Sequence, residues 1–328
     1  MTTRKAVITA AGRGTRMFPA TRAIQKEMLP LVDRDGLCKP TIQIIVEECL
    51  GAGIEEICIV VERGGAAPFR DHFRAFTDDE KPVFAKKPEL YAAGERLGEI
   101  SARISYVEQP SPEGFGHAVY QAKEWVGGEP FVLLLGDHVY TTRAGVPSPV
   151  AQMITVADET GGSVTGVRLD PESDVSVTGV LKCERRNAQL AADAPGQSYN
   201  ILALKEKPTP EEARATLRTA GVKDGYYLCH FGIHLFTPDI FGCLGHLIDN
   251  DIRVKNEFQL TSGQELLLER SLAGTGAPYG AVFLDADRWD IGMPDVYLES
   301  LAAYGLRGPF AARMQSVTVD NPSPGAIQ

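Results

Sequence analysis

The chain has 328 residues, 44% of them hydrophobic and 23% charged, proportions that give a sizeable core and exclude a disordered, fibrous or membrane-embedded chain taken as a whole. The 33 Lys and Arg against 43 Asp and Glu leave a formal net charge of -10. That balance excludes bulk attraction to DNA, RNA or anionic lipid, so any bound phosphate must be held by a local cluster.

In chain order, Met1-Thr2-Thr3-Arg4-Lys5 runs directly into Ala6-Val7-Ile8-Thr9, an apolar stretch too short for a signal-peptide core or a membrane span and suited to a first strand. The pattern then predicts a helix over 41–52, a strand over 57–61 and a helix over 69–76. The polar, charged segment 78–100 predicts a helical excursion outside the central sheet. A strand over 104–107 and a helix over 116–126 follow, and then Phe131-Val132-Leu133-Leu134-Leu135, an apolar run suited to a strand buried on both faces. Beyond 147 the reading is mixed, with strands near 163–167, 179–183, 201–204 and 226–236 and helices near 210–219, 259–272 and 294–304. The whole implies an α/β fold, a doubly wound, mostly parallel, Rossmann-like mixed sheet. Residues 308–328 have three prolines and no sustained period, so a C-terminal arm or tail is expected. Cys38, Cys49, Cys58, Cys183, Cys229 and Cys243 contain no Cys-x-x-Cys pair. Neither a zinc site nor a disulfide framework is suggested, and a reducing, cytoplasmic setting is expected.

The first strand ends in Ala10-Ala11-Gly12-Arg13-Gly14-Thr15-Arg16. Small residues there let backbone amides approach an anion, and Arg16 adds a fixed positive charge. The loop is not a Walker A motif, since no Gly-Lys-Ser/Thr follows, nor a dinucleotide fingerprint, since Met17 replaces the third glycine. Glycines alone are equally compatible with a plain tight turn. The continuation to Lys26-Glu27-Met28-Leu29-Pro30 adds a second cation ten residues beyond Arg16. With that continuation the segment resembles the sugar nucleotidyltransferase family, whose pattern is Gly-x-Gly-Thr-Arg-x-x-Pro-x-Thr followed by Lys-x-x-Leu-Pro. Within the family it is most similar to the bacterial uridylyltransferases that use UTP and glucose 1-phosphate. The resemblance implies that Arg16 and Lys26 hold the triphosphate. It also implies that the loop backbone at Ala11, Gly12, Gly14 and Thr15 faces the nucleotide.

Glu108-Gln109-Pro110-Ser111-Pro112-Glu113-Gly114 forms a strand end and a proline-stiffened turn, where ligands of open α/β sheets sit. Gln109 offers a donor and an acceptor to a pyrimidine edge, and Gly114 lets backbone come close. His117 is read as a helix-start residue rather than a metal ligand. Gly136-Asp137-His138 places a carboxylate after a central strand, where Mg2+ could be held with substrate phosphates if a second carboxylate joined it. The candidate is Asp290 in Arg288-Trp289-Asp290-Ile291-Gly292, and both fit the family's metal-holding positions. An Asx turn at Asp137 and a turn before a helix at Asp290 are the plainer alternatives. By resemblance, Glu206 in Glu206-Lys207-Pro208 accepts from sugar hydroxyls, Lys207 binds the sugar phosphate and Gly179 lies under the sugar. Glu257-Phe258-Gln259-Leu260-Thr261 resembles another shared segment, expected to cap and place the following helix, with a sugar contact as the alternative role.

The implied enzyme is a nucleotidyltransferase spanning 1–307, with a nucleotide-binding portion over about 1–147 and a sugar-phosphate-binding portion over about 148–307. It would take UTP and glucose 1-phosphate with Mg2+, give UDP-glucose and pyrophosphate, and act as a homo-oligomer with no nucleic-acid or membrane partner. A thymidylyltransferase is the nearest rival, because Gln109-Pro110-Ser111-Pro112 looks like that branch. A non-catalytic nucleotide-sugar-binding relative is the other alternative. Arg13, Gln25 and the extra residues Arg34-Asp35-Gly36-Leu37-Cys38 depart from a standard uridylyltransferase.

Overall fold

The computed structural model describes residues 3–319. Packing divides the chain into two compact units, each built from three segments. The first comprises the chain up to Gly12 with Ala52–Leu135 and Val150–Leu284; the second comprises Arg13–Gly51, Gly136–Pro149 and the chain from Asp285 onward. The division expected near residue 147 concerned ligand-binding roles, which packing does not test.

The strands are β1 (Lys5–Ala10), β2 (Pro30–Val32), β3 (Cys38–Pro40), β4 (Glu56–Glu62), β5 (Ile104–Gln109), β6 (Phe131–Leu135), β7 (His138–Thr141), β8 (Ser163–Pro171), β9 (Gly179–Arg185), β10 (Ser198–Glu206), β11 (Tyr226–Phe236), β12 (Tyr279–Phe283) and β13 (Asp287–Asp290). In the first unit nine of them form one sheet in the order β5-β4-β1-β6-β11-β8-β12-β10-β9. β5, β4, β1 and β6 run parallel; β11 enters antiparallel against β6 and β8, and β8 and β12 form a further parallel pair. The sheet is α/β and mixed, as the alternation of elements implies, but the expected mostly parallel arrangement holds only across β5, β4, β1 and β6; β10 pairs antiparallel with both β12 and β9, and β9 with β11.

Register explains why the parallel part makes a site edge. Ala10 lies opposite Val61, Glu62 opposite Gln109, and Thr9 opposite Leu135, so the carboxyl ends of β1, β5 and β6 share one edge of the sheet, where open α/β sheets bind ligands. The continuous apolar runs hold that edge flat against helices. Val7, Cys58, Val60, Phe131 and Leu133 are fully buried and pack with Val119 and Phe241 of helices Phe115–Gln121 and Asp239–Asp249. The segment after β4 is helical, with Lys81–Phe84 and Pro88–Ser101 lying outside the sheet. It is pinned by a stack of Phe76 on Phe84 at 4.9 Å. Gly94 faces Phe76 so closely that a Cβ there would lie 2.0 Å from the ring.

The second unit has two small antiparallel pairs. β2 and β3 form a hairpin with Leu31 opposite Lys39, and β7 pairs with β13 so that Thr141 faces Asp287 and His138 faces Asp290. The Lys39 ammonium, buried in this unit, is shared by Asp33, Asp35 and Glu47 at 2.7, 2.6 and 2.8 Å. Of the expected C-terminal arm, Ala311–Val319 is a helix; 320–328 lie outside the described residues. Among the described residues no helix is long and apolar enough to cross a membrane.

Candidate active site

In the second unit the glycine loop turns sharply. Gly14 has φ +61 and a Cβ there would sit 2.8 Å from Thr21 Cγ2, so the position needs glycine on two counts. Single 3-10 turns at Thr15–Met17 and Lys26–Met28 carry the two expected cations. The Lys26 ammonium is in direct contact with Asp137 Oδ2 and lies 3.5 Å from Glu27 Oε1. Arg16, more exposed, reaches Asp290 Oδ2 at 3.7 Å.

Asp137 and Asp290 therefore meet. Together with His138 they offer ligand atoms that all lie within 4.8 Å of one another. Three features of the fold hold them there. The β7–β13 ladder sets His138 beside Asp290, with Nε2 3.8 Å from Oδ2. The Ile291 N–H donates to the Asp137 carbonyl at 2.9 Å, and the Gly292 N–H donates to Asp290 Oδ1 at 3.0 Å. Gly292 also keeps the space between the carboxylates clear, since a Cβ there would stand 2.8 Å from Asp137 Oδ2 and 3.0 Å from Asp290 Oδ1.

Two neighbouring carboxylates repel unless cations offset them. Burial works against ionisation of Asp290, but His138, Arg16 and the Gly292 N–H outweigh it and hold its pKa at about 2. Burial likewise disfavours the Lys26 ammonium, and Asp137 and Glu27 more than restore it, raising its pKa. Glu27 is the converse: burial dominates, Lys26 only partly compensates, and the carboxyl is pushed up to about 7. The donor set fits Mg2+, which takes one or two carboxylates and keeps its remaining positions for water and phosphate oxygen. Of the three residues, Asp137 and Asp290 would hold it, with the His138 imidazole serving Asp290. His138 Nδ1 is buried with no hydrogen-bond partner among the described residues.

The first unit carries the other expected residues in two places. At the end of β5, the buried Gln109 points its amide nitrogen at the Gly114 carbonyl and at His117 Nδ1, both at 3.1 Å, which leaves its carbonyl oxygen as an acceptor. Gly114 has φ +111, and a Cβ would lie 2.8 Å from the Phe258 carbonyl oxygen and 2.8 Å from Glu257 Cβ. The strand-like pairing of Phe258 N–H to Glu113 O at 2.8 Å and Gly116 N–H to Phe258 O at 2.8 Å requires that approach. Ala11 and Gly12 follow β1 on the same edge, Gly12 exposed.

At the end of β10, Lys207 has φ +47 and its ammonium lies 3.1 Å from Glu206 Oε1. The Thr261 hydroxyl donates to Glu206 Oε2 at 2.7 Å. Gly179 adjoins both Glu206 and His230: a Cβ there would come 3.1 Å from Glu206 Oε2 and 2.3 Å from His230 Cδ2. Burial keeps His230 neutral, its pKa lowered to about 4 despite the pull of Glu206. Gly179, Glu206 and Lys207 are thus brought together. Sequence reasoning gave no role to His138, Glu27, Gly292 or His230 and read Thr261 as helix placement, with a sugar contact by its segment as the alternative. For Thr261 the resemblance of residues 257–261 to a shared segment was the available signal; the others are defined by contacts across the fold.

The chain has a mixed α/β sheet and a carboxylate pair flanked by Arg16 and Lys26, and it belongs to the nucleotidyl transferase family, whose profile matches residues 5–304. It is 33% identical to a UTP–glucose-1-phosphate uridylyltransferase of Staphylococcus haemolyticus, over 93% of each chain. It is 35% identical to one of Streptococcus pyogenes, over 93% of this chain and 90% of that one. Among solved structures it is similar to UDP-glucose pyrophosphorylase complexed with UDP-glucose, at 28% identity and a TM-score of 0.70, covering 92% of this chain and 98% of that one.

Proposed function

We propose that the protein transfers the uridylyl group of UTP to glucose 1-phosphate, forming UDP-glucose and releasing pyrophosphate, with Mg2+ held by Asp137 and Asp290. The observation that carries this reading is the approach of those two carboxylates within 4.8 Å, flanked by Arg16 and Lys26. It is supported by relatives at 33% and 35% identity that are named for this reaction, whereas a putative glucose-1-phosphate thymidylyltransferase resembles the chain in fold at only 17% identity.

The attacking oxygen belongs to a phosphomonoester whose second pKa is about 6, so it is already anionic at neutral pH and no residue needs to remove a proton. What the chain must supply is alignment and charge. Bound Mg2+ neutralises phosphate charge and makes the α-phosphorus a better electrophile. Arg16 and Lys26 bind the triphosphate and stabilise the departing pyrophosphate, while Ala11, Gly12, Gly14 and Thr15 present backbone to the nucleotide. Gln109 accepts from the uracil N–H beside Gly114. Glu206, held in place by Thr261 and Lys207, accepts from sugar hydroxyls, Lys207 pairs with the sugar phosphate, and Gly179 leaves room beneath the ring. Free thiols at all six cysteines support a cytoplasmic setting, and a homo-oligomer would cover the exposed Leu298, Leu306 and Phe310.

The test is a panel of the four common ribonucleoside triphosphates and dTTP against several sugar 1-phosphates, read by pyrophosphate release with Mg2+ and with EDTA. UTP with glucose 1-phosphate and Mg2+ should be the fastest pair, and EDTA should abolish release. A faster reaction with dTTP would move the chain to the thymidylyl reading, and no release from any pair would leave a binding protein.

A further inference from the structure

The second unit has a cavity of about 440 Å³ between the β2–β3 hairpin, the end of β7 and the end of helix Pro294–Gly305. Its lining includes three arginines, Arg34, Arg143 and Arg307, with Thr141 and Tyr304 between them. It lies at the opposite end of the β7–β13 ribbon from the carboxylate pair, three residues or about 10 Å along β7 from His138. Arg34 belongs to the run 34–38, whose residues have no part in the proposed reaction.

Three arginines in the cavity lining stand against one carboxylate, Asp33. Asp33 accepts from the Arg34 N–H at 2.7 Å and from Lys39 at 2.7 Å, an ammonium it shares with Asp35 and Glu47. Among the described residues Arg143 is paired through Nη2 alone, with Asp285 at 2.8 and 3.0 Å, and Arg307 through Nη2 alone, with Asp287 at 3.2 Å. Each guanidinium has five N–H groups, so both keep donors unspent. Among the described residues the Arg34 guanidinium has no carboxylate partner. The backbone holds Arg34 beside Arg307: a Cβ on Gly308 would lie 3.6 Å from Arg34 Cα.

We propose that this cavity is a second anion site, taking the phosphate group of a phosphorylated small molecule. Three arginines lining one space suit a tetrahedral oxyanion, because planar guanidinium forks donate to its oxygens in pairs. The volume, within the range of small-molecule sites, leaves room for a body of sugar size beside the phosphate, with Thr141 and Tyr304 against it. The inference stands apart from the uridylyl-transfer reading, since none of its residues takes part in that reaction.

The test is calorimetric titration of the full-length protein with inorganic phosphate, comparing wild type with Arg34→Gln, Arg34→Gln/Arg307→Gln, and Arg16→Ala/Lys207→Ala. The last variant removes cations assigned to substrate phosphates and should still bind phosphate. Arg34→Gln breaks no ion pair and should weaken that binding, and the Arg34→Gln/Arg307→Gln variant should weaken it at least about tenfold, the scale of a lost charge-assisted contact, with UTP binding unchanged. Phosphate binding at wild-type strength in Arg34→Gln/Arg307→Gln, or its complete loss in Arg16→Ala/Lys207→Ala, would overturn the assignment.

Discussion

At the scale of single residues the site is a problem of matched charge. Lys207 pairs with Glu206 in the first unit, where the sugar phosphate is proposed to bind, so its removal should be felt by one substrate. For Lys207→Ala we expect the KM for glucose 1-phosphate to rise by at least about tenfold, as for loss of a charge-assisted contact, with the KM for UTP little changed; equal rises for both would contradict the division of roles. Glu27 titrates in the opposite sense to Asp290. Its folded pKa is about 7 against an ordinary 4.5, so the folded state holds the proton more tightly than the unfolded chain does. Its stabilising contribution is therefore complete below about pH 4.5 and is lost as pH rises to 7. Glu27→Gln abolishes that titration. Relative to wild type, the variant's unfolding free energy should rise by about 2 to 3 kcal/mol between pH 5 and pH 8, measured by urea denaturation. A difference that does not change with pH would mean that Glu27 is ionised in the folded protein throughout.

At the scale of elements, the turn between β5 and helix Phe115–Gln121 depends on the backbone at 257–258. Gly114→Ala must accommodate φ +111 and a Cβ 2.8 Å from a carbonyl oxygen, so it should cost about 3 kcal/mol or more. Gly127→Ala is the control: its φ of +64 with ψ -131 also disfavours alanine, but nothing lies within 4 Å of the new methyl, and about 1 to 3 kcal/mol is expected from backbone strain alone. Thermal melts of the two variants compare them, and equal shifts would remove close packing as the reason for glycine at 114. The elements most legible in sequence were the long or strongly apolar strands, whereas β12, Tyr279-Gly280-Ala281-Val282-Phe283, went unread although it is buried almost throughout, because it is short and carries Gly280 and Ala281. β4 and β6 are apolar throughout their interiors and β11 is long, so hydrophobicity alone marks them. β2, β3, β7 and β13 have three or four residues each, too few for a period, and what makes them strands is the partner across the ladder. The same limit hid His138, whose importance comes from pairing with Asp290, and Thr261, which grips Glu206 from 55 positions away.

At the scale of the whole molecule, a net charge of -10 is compatible with two anionic substrates only because cations are concentrated locally: Arg16 and Lys26 in one unit, Lys207 in the other. The aspartates were legible as types at strand ends and turns, and their meeting was not, because 137 and 290 belong to separate segments that only folding brings together. The central claim is that Asp137 and Asp290 hold the Mg2+ on which uridylyl transfer depends. Its most direct test is the Mg2+ dependence of pyrophosphate release from UTP and glucose 1-phosphate in wild type and Asp290→Asn, with thermal melts to confirm folding. We expect the variant to remain folded, to need a substantially higher Mg2+ concentration for half-maximal rate, and to lose on the order of 100-fold or more of its turnover, the scale of removing one transition-state stabilising group. A variant with wild-type turnover and an unchanged Mg2+ curve would contradict the account.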